Sequence, residues 1–556
     1  MNKKVYDFGV FQDYGTDDPN SLIKDNSSII YGTDEEGNQI YYSAGENITL
    51  DGGKISSTGS GGGNIDDVQI DGVSILNDKI ANINLGTNLS FDESTNTLNA
   101  QGGEYTEEHV TIQLSVSEGV VDFTGRKITV VYDKTEHQYE LDSNGECEFN
   151  VTVGVYYTVT YPSMLYYSKI DSNIFVATKR DRTIIKIYQY LGNQIRGAVL
   201  EQSNPVKWTT FGDEQVVNSI LGTYGTYVID EENKKYAKLD PTDHTYFEDG
   251  SVWDGSYGNS FRRIPEVFYL VGKDDNNNNT LQISSQDIGG HSWPEAWIGT
   301  YKGSISGNKL RSVPGVSTTQ GMTMIDFWNA AQGNGENYGL VNYFNHCMLL
   351  ALHYTKFGTS QSETTMGRGL QNAGSGYFTH ITGYCKGLGD GTGSSSYGDS
   401  PTLTMNKLFG IEDLAGSTWE FRPNIRFSGS GSIATVYEGN IVSNTASGRT
   451  FQKLSSAGQA YIIKMALGEY CDFIPTVVGG TNATYYCDGT WASSNGELFL
   501  VGGASGDGSL CGLSASDSAD AFSASSAGIG ARLAFCGDIS QYTLVSGTEL
   551  NSLHNL

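Results

Sequence analysis

The sequence predicts a β-rich, multidomain chain: an intertwined N-terminal β-stalk, a β-sandwich and a C-terminal α+β domain. Three observations carry that reading. Gly, Asn and Asp punctuate the first hundred residues and leave room only for short apolar alternations. From Val110 to Tyr190, β-branched and aromatic residues alternate in runs spaced at about the 8–12 residues of an all-β sandwich. Beyond Leu191, two segments with helical periodicity stand among short strands and long polar loops. The chain has 556 residues, 38% of them hydrophobic and 17% charged, with 70 Gly and 34 Tyr. That composition supplies turns, strands and aromatic cores, unlike a disordered chain.

In the first part, "GENITLDGGKISSTGSGGG" from Gly45 and "GTNLSFDESTNTLNAQGGE" from Gly86 resemble each other. Each has Gly-x-Asn, a short strand ending in Asp, a turn, a second short strand and a Gly-rich break. Between them, short strands meet at Asp71-Gly72 and Asn77-Asp78, dipeptides typical of tight hairpins. Strands this short bury no core alone, so residues 30–104 are expected to form an oligomeric stalk, a homotrimer. Residues 105–195 hold "VTIQLSV", "RKITVVYD", "HQYELD", "CEFNVTV", "YYTVTYP" and "RTIIKIYQY", the strands of the sandwich. Within them "SNGECEFNVTVGVYYTVTYP" resembles a small Ig-like or prealbumin-like module, of the kind repeated in carboxypeptidase regulatory regions. In residues 196–556, "GMTMIDFWNAAQ" and "YGLVNYFNHCMLLALHYTKFG" read as helices. Leu340, Tyr343, Phe344, Cys347, Leu350, Ala351 and Tyr354 fall at helical spacing in the second, and Gly358 is placed as its C-cap. The Gly-rich "GLGDGTGSSSYGDS" from Gly387 reads as a flexible or inserted loop.

Charge and motifs exclude several function classes. A formal charge of −29 is repelled by nucleic-acid phosphates and anionic lipid. No run of eighteen apolar residues predicts membrane insertion, and "MNKKVYDFGVFQDYG" is no secretory signal. Seven cysteines without a CxxC are expected as buried thiols, neither a disulfide framework nor a zinc module. No HExxH, GxSxG or P-loop occurs. No catalytic residue, metal or cofactor is expected.

The stretch from Phe409 to Phe535 carries the sharpest signal. "FGIEDLAGSTWEF" from Phe409 places Gly410, Asp413, Gly416, Trp419 and Glu420 in a Gly-x-x-Asp-x-x-Gly-x-x-Trp-Glu pattern. "LFLVGGAS" and "GIGARLAF" follow, with Gly502, Gly503, Gly530 and Arg532. Trp419 reads as a core anchor, and Glu420 and Arg532 as partners where two strands meet. Together these segments resemble the formylglycine-generating-enzyme superfamily, which implies a C-type-lectin-like fold with these residues as its scaffold. The oxidases of that superfamily use two nearby cysteines, whereas Cys511 and Cys536 stand 25 apart here.

Between Gly502 and Gly530 lie eight Ser, six Ala and seven Gly. The frame "LVGG…CG…IGARL" around them resembles the variable proteins of diversity-generating retroelements, especially those on tail fibres of phages infecting gut Bacteroides-type bacteria. The resemblance implies a receptor-binding tail protein of a virion, made in the host cytoplasm. It implies that residues 1–29 attach to tail or baseplate proteins and that the C-terminal domain grips a glycan or protein on the host surface. The expected contact residues are Tyr485, Tyr486, Asp488, Thr490 and Trp491, with Ala504, Ser505, Asp507, Ser509, Ser514, Ser516, Ser518, Asp520, Phe522 and Ser525. Aromatics there supply rigid contact area and small polar residues supply adaptable hydrogen bonds. A tail-associated polysaccharide depolymerase and a structural virion protein are the alternatives.

Overall fold

The computed structural model describes residues 106–555, apart from 275, 372, 374–378, 401, 428–432 and 455. Ahead of them it describes the backbone of four antiparallel hairpins. These pair Ser28–Thr33 with Gln39–Ser43, Ile48–Asp51 with Lys54–Ser57, Gln69–Ile70 with Val73–Ser74, and Leu89–Asp92 with Thr97–Ala100. The repeated Gly-x-Asn segments thus each hold one hairpin. The lead-in before Ser28 and the Asn77-Asp78 connection lie outside the described residues. The chain divides into two compact units, Met1–Glu104 and Tyr105–Leu556. It is β-rich and multidomain, with many separate sheets. No helix among the described residues is long and apolar enough to cross a membrane.

The second unit opens with a two-sheet sandwich. One sheet holds Glu146–Thr152, Glu107–Val116 and Arg182–Tyr188, and the other holds four strands from Lys127 to Val176. Strict alternation decides the faces: Val110, Ile112 and Leu114 point inward, as do Phe149 and Val151. The first strand pairs parallel with the last, Arg182 opposite Val110. One strand, Asn173–Val176, was not expected; it is a short edge strand paired only with Tyr156–Thr160. Glu108 is the polar exception in this core. Its buried carboxylate accepts from Arg182 Nε at 3.0 Å and Thr178 Oγ1 at 3.1 Å, which offsets its desolvation.

The C-terminal part builds two seven-stranded sheets and one five-stranded sheet; α1 (Glu214–Gly222) and α3 (Tyr343–Phe357) lie against the five-stranded sheet, and α2 (Met324–Gln332) lies against a seven-stranded one. Capping boxes start α2 at Thr323 and α3 at Asn342. Gly358 ends α3 in the left-handed region, φ 60°. α3 departs from the sequence reading in two ways. Leu340 belongs to a strand, Tyr338–Leu340, rather than to the helix. The helix is also buried all round from His346 to Thr355 instead of along one stripe, because sheet residues and loops pack on every side of it. α1, only nine residues long and capped at its C-terminus by Thr223 in place of a left-handed glycine, was missed. The Gly-rich stretch from Gly387 is likewise no loose loop. Asp390 accepts from His244 and Arg262 at 3.0 and 3.3 Å, and Gly393–Ser396 pairs with Thr404–Leu408.

The sheet that positions the site runs through β1 (Trp419–Phe421), β2 (Ala457–Met465), β3 (Gly489–Ala492), β4 (Leu500–Val501), β5 (Ser516–Ser518) and β6 (Ile529–Gly530). Its spatial order is Pro475–Val478, β2, β3, β5, β4, β1, β6. β5 is therefore interior, with β3 parallel on one side and β4 antiparallel on the other.

Candidate functional site

The frame residues meet where β1 joins β6. Arg532 donates to Glu420 through Nη2 at 2.7 Å and Nε at 3.1 Å, and to the Gly299 and Asp413 carbonyls at 3.0 and 2.7 Å. Arg422 reaches Glu420 at 2.8 Å, and Lys302 lies 3.6 Å from it. All four side chains are buried. Burial would raise the Glu420 carboxyl, but Arg532, Arg422 and Lys302 outweigh it and hold the group well below the usual carboxylate range. Asp413 joins this network through His380 at 2.6 Å and Ser417 at 2.5 Å. Trp419, 6% exposed, packs with Phe421, Ala504, Ala515 and Ile529. Gly503 has φ +81°, and a Cβ there would come within 2.7 Å of Cys511 Sγ.

The expected contact residues separate into two groups. Eight are buried and do not stand on the exposed face: Tyr486, Asp488, Thr490, Ala504, Ser505, Ser514, Ser516 and Ser518. Each is held there for a definable reason. Tyr485 and Cys487 both adopt left-handed φ, 57° and 52°, and the bend turns Tyr486 inward against Trp208 and Tyr354. Asp488 accepts the Ser514 amide at 2.8 Å and lies against Gly512, where any Cβ would overlap its carboxyl. The Thr490 and Ser516 hydroxyls bond across β3 and β5 at 3.0 Å. Ser514 bonds the Tyr354 hydroxyl at 2.6 Å. Ala504 accepts from Cys511 Sγ through its carbonyl, Ser505 donates its amide to the Ser417 carbonyl, and Ser518 sits beneath the Trp491 carbonyl. These small residues fill narrow space between layers, so they form part of the frame.

The other seven keep solvent contact: Tyr485, Trp491, Asp507, Ser509, Asp520, Phe522 and Ser525. Trp491 stands edge-on to Trp419 at 5.3 Å and 90°. Phe522 and Trp491 each lean on the same core as Trp419. Ser509 bonds the Tyr461 hydroxyl at 2.9 Å. Asp507 accepts the Ala504 amide at 2.7 Å, and its carboxyl is raised by burial.

One residue of this surface was missed. Asp517 lies between buried Ser516 and Ser518 and is paired with Trp491 across β3 and β5. Burial pushes its carboxyl up to about 7, and Asp520 and Asp507 add to that push. The period-two alternation of Ser514, Ser516 and Ser518 held the signal that would have found it. Beneath the surface, burial lowers the Lys453 ammonium to about 8 while it donates to the Ser493 and Ser518 carbonyls. Among the described residues, no group of three or more His, Cys, Asp or Glu side chains is placed to hold a metal ion. Cys511 is buried and its thiol is raised well above the usual range by that burial, the opposite of a reactive thiolate.

No family model matches the chain, and no curated protein matches it. Among solved structures it is similar to the Major Tropism Determinant P3c variant, at 14% identity over 76% of this chain and 74% of that one, with a TM-score of 0.21. It is also similar to a DUF3823 family protein from Parabacteroides merdae, at 12% identity over 34% of this chain and 80% of that one, TM-score 0.13. A third, the Bacillus anthracis TIE protein, aligns at 8% identity over 38% of this chain, TM-score 0.14; the aligned part spans 29% of that protein's length. Overlaps this low assign neither a fold family nor a function to this chain.

Proposed function

We propose that the chain is a receptor-binding tail protein of a phage, an adhesin that recognises a host-surface ligand and does no chemistry on it. In this reading residues 1–29 attach to the virion tail or baseplate and residues 30–104 form a trimeric stalk. Residues 105–195 act as an Ig-like spacer, and residues 196–556 are a C-type-lectin-like domain that grips the host. The protein is made in the host cytoplasm and carried on the tail. Three copies of a weak site would give avidity, so each site is free to stay adaptable.

The observation that carries the reading is the division between frame and face. Buried partners hold residues 486–490, 500–505 and 511–518 in place, while aromatic and small polar residues between and beside them remain open to solvent. Rigid aromatics beside adaptable hydroxyls are the composition of recognition surfaces. The "LVGG…CG…IGARL" frame supports the same reading from sequence. The test is adsorption to a panel of hosts, with melting followed on the same proteins. Trp491→Ala removes a candidate hot spot, for which a loss of about 2 kcal/mol is ordinary; Ser525→Arg places a charge on the face. Both should adsorb at least about tenfold less well while staying folded. Parental adsorption by both variants would refute the assignment of this face.

A further inference from the structure

Apart from the exposed face, the C-terminal domain holds a cavity of about 390 Å³ beside it. Glu363, Arg368 and Gln371 line it together with Asn482, Asp488 and Ser509. The first group follows α3, and the second belongs to the segments that shape the face. Pockets that take small ligands run from roughly 300 to 1,000 Å³, and most are lined chiefly by apolar side chains. This one is different: apart from Cys487, every lining side chain is polar.

Two features point to a ligand. Gln371 is 4% exposed, yet its Oε1 has no hydrogen-bond partner among the described residues. A buried amide carbonyl without a partner costs about 1–3 kcal/mol, and a ligand donor would relieve that cost. The wall also mixes amides, carboxyls and a hydroxyl, groups that between them donate and accept. Such a set matches hydroxyls, each of which also does both, better than it matches an apolar or singly charged side chain.

We propose that this cavity binds one neutral sugar ring of a host glycan, with Gln371 Oε1 accepting from a ring hydroxyl and Asn482 and Ser509 closing the rim. Only the biological source of the sugar rests on the receptor-binding reading. The electrostatics agree with an uncharged ligand. Burial holds the Asp488 carboxyl far above the usual carboxylate range, with the Ser514 amide opposing it and Glu363 adding to it. Burial also raises Glu363, while Gln371 and Arg368 draw it back. Arg368 Nε also lies 3.4 Å from Glu363 Oε2, so the opposite charges on this side of the cavity are paired with each other. Asp488 is set in place by Gly512 and Ser514 rather than by the ligand, so the wall is formed in advance.

The test uses the full chain and titration calorimetry, with ligand-observed NMR, against glucose, galactose and N-acetylglucosamine. Glucuronate and glucosamine are the charged controls. At least one neutral sugar should bind, and the charged analogues should bind less well. Gln371→Met, which keeps length but removes the unpartnered carbonyl, should weaken binding about tenfold. Ser509→Trp, an exposed change that fills the mouth, should abolish it without lowering the melting temperature. Absence of binding by every neutral sugar, preference for a charged analogue, or binding indifferent to Ser509→Trp would overturn the proposal. Adsorption lost in Trp491→Ala with no sugar bound sinks the cavity and leaves the receptor reading standing. Sugar bound at the cavity with adsorption unchanged in Trp491→Ala, Ser525→Arg and Ser509→Trp upholds the cavity and sinks the receptor reading.

Discussion

Ser516→Tyr and Ser525→Tyr make the same chemical change nine residues apart and should have opposite effects. Ser516 is 2% exposed and lies on the interior strand β5, its hydroxyl 3.0 Å from Thr490. A phenol ring there has no free volume to enter. It must displace Thr490 or part the β3–β5 pairing. Overpacking by even a few methylenes costs about 1–3 kcal/mol. A whole ring, together with the lost hydroxyl pair, should exceed about 3 kcal/mol. Ser525 is exposed, and a change there should stay within about 0.5 kcal/mol. The assay is urea denaturation followed by Trp fluorescence, with adsorption measured on the same proteins. Ser516→Tyr should lose its transition midpoint or fail to fold, while Ser525→Tyr should fold normally and adsorb differently. If Ser516→Tyr keeps its midpoint and only shifts host choice, β5 is a surface strand and the division between frame and face is wrong.

Two further changes probe the charges. Asp517 has a folded-state carboxyl raised to about 7, above its ordinary value, so the native state holds the proton longer than the unfolded chain. Its contribution is full below about pH 4 and is lost as pH rises to about 7. Asp517→Asn should therefore flatten stability between pH 4 and 7 and gain roughly 1–2 kcal/mol at pH 8, after discounting for its partial solvent contact. A slope unchanged by the substitution would assign that pH dependence elsewhere. Arg532→Met leaves buried Glu420 with only Arg422 and Lys302 nearby and opens the Asp413 and Gly299 carbonyls. It should cost about 3–5 kcal/mol; thermal melting at the parental temperature would show that the pair is not what holds β1 to the Arg532 segment.

Much of the fold was legible because local chemistry and tertiary structure agreed. Alternation gave six sandwich strands, and the missed seventh, Asn173–Val176, is short and exposes Ile174 and Val176. The C-cap of α3 was read from Gly358, whereas the capping boxes at Thr323 and Asn342 emerged only in the structure. The frame was legible through Trp419, Glu420 and Arg532, whose residue types are costly to bury without partners. The face was only half legible. Ser, Ala and Gly suit an exposed loop and a narrow gap between layers equally well, so composition did not distinguish Ser516 from Ser525. Tyr486 was misplaced because its direction depends on left-handed φ at Tyr485 and Cys487, which no side-chain pattern announces. The cavity was invisible because Gln371 and Asp488, more than a hundred residues apart, meet only through the packing around α3.

The contact between Trp419 and Trp491 joins the two halves of this arrangement. Trp419 is enclosed by the frame, and Trp491 rests edge-on against it while keeping one side in solvent. An exposed aromatic on a loop normally loses rotational freedom when it binds, at about 0.5–1.5 kcal/mol for an immobilised side chain. Trp491 has already lost much of that freedom, because Trp419 and the Asp517 pairing hold it. The buried ions behind Trp419 are expensive, and an apolar core of the same size would be no less stable. What they add is direction: Arg532 meets Glu420, Asp413 and Gly299 at once in only one register of β1 against β6. A register fixed from behind keeps the loops in place when their outward residues change. Substitution at Ser509, Ala521, Ser523 or Ser525 then alters what is presented without altering where it stands.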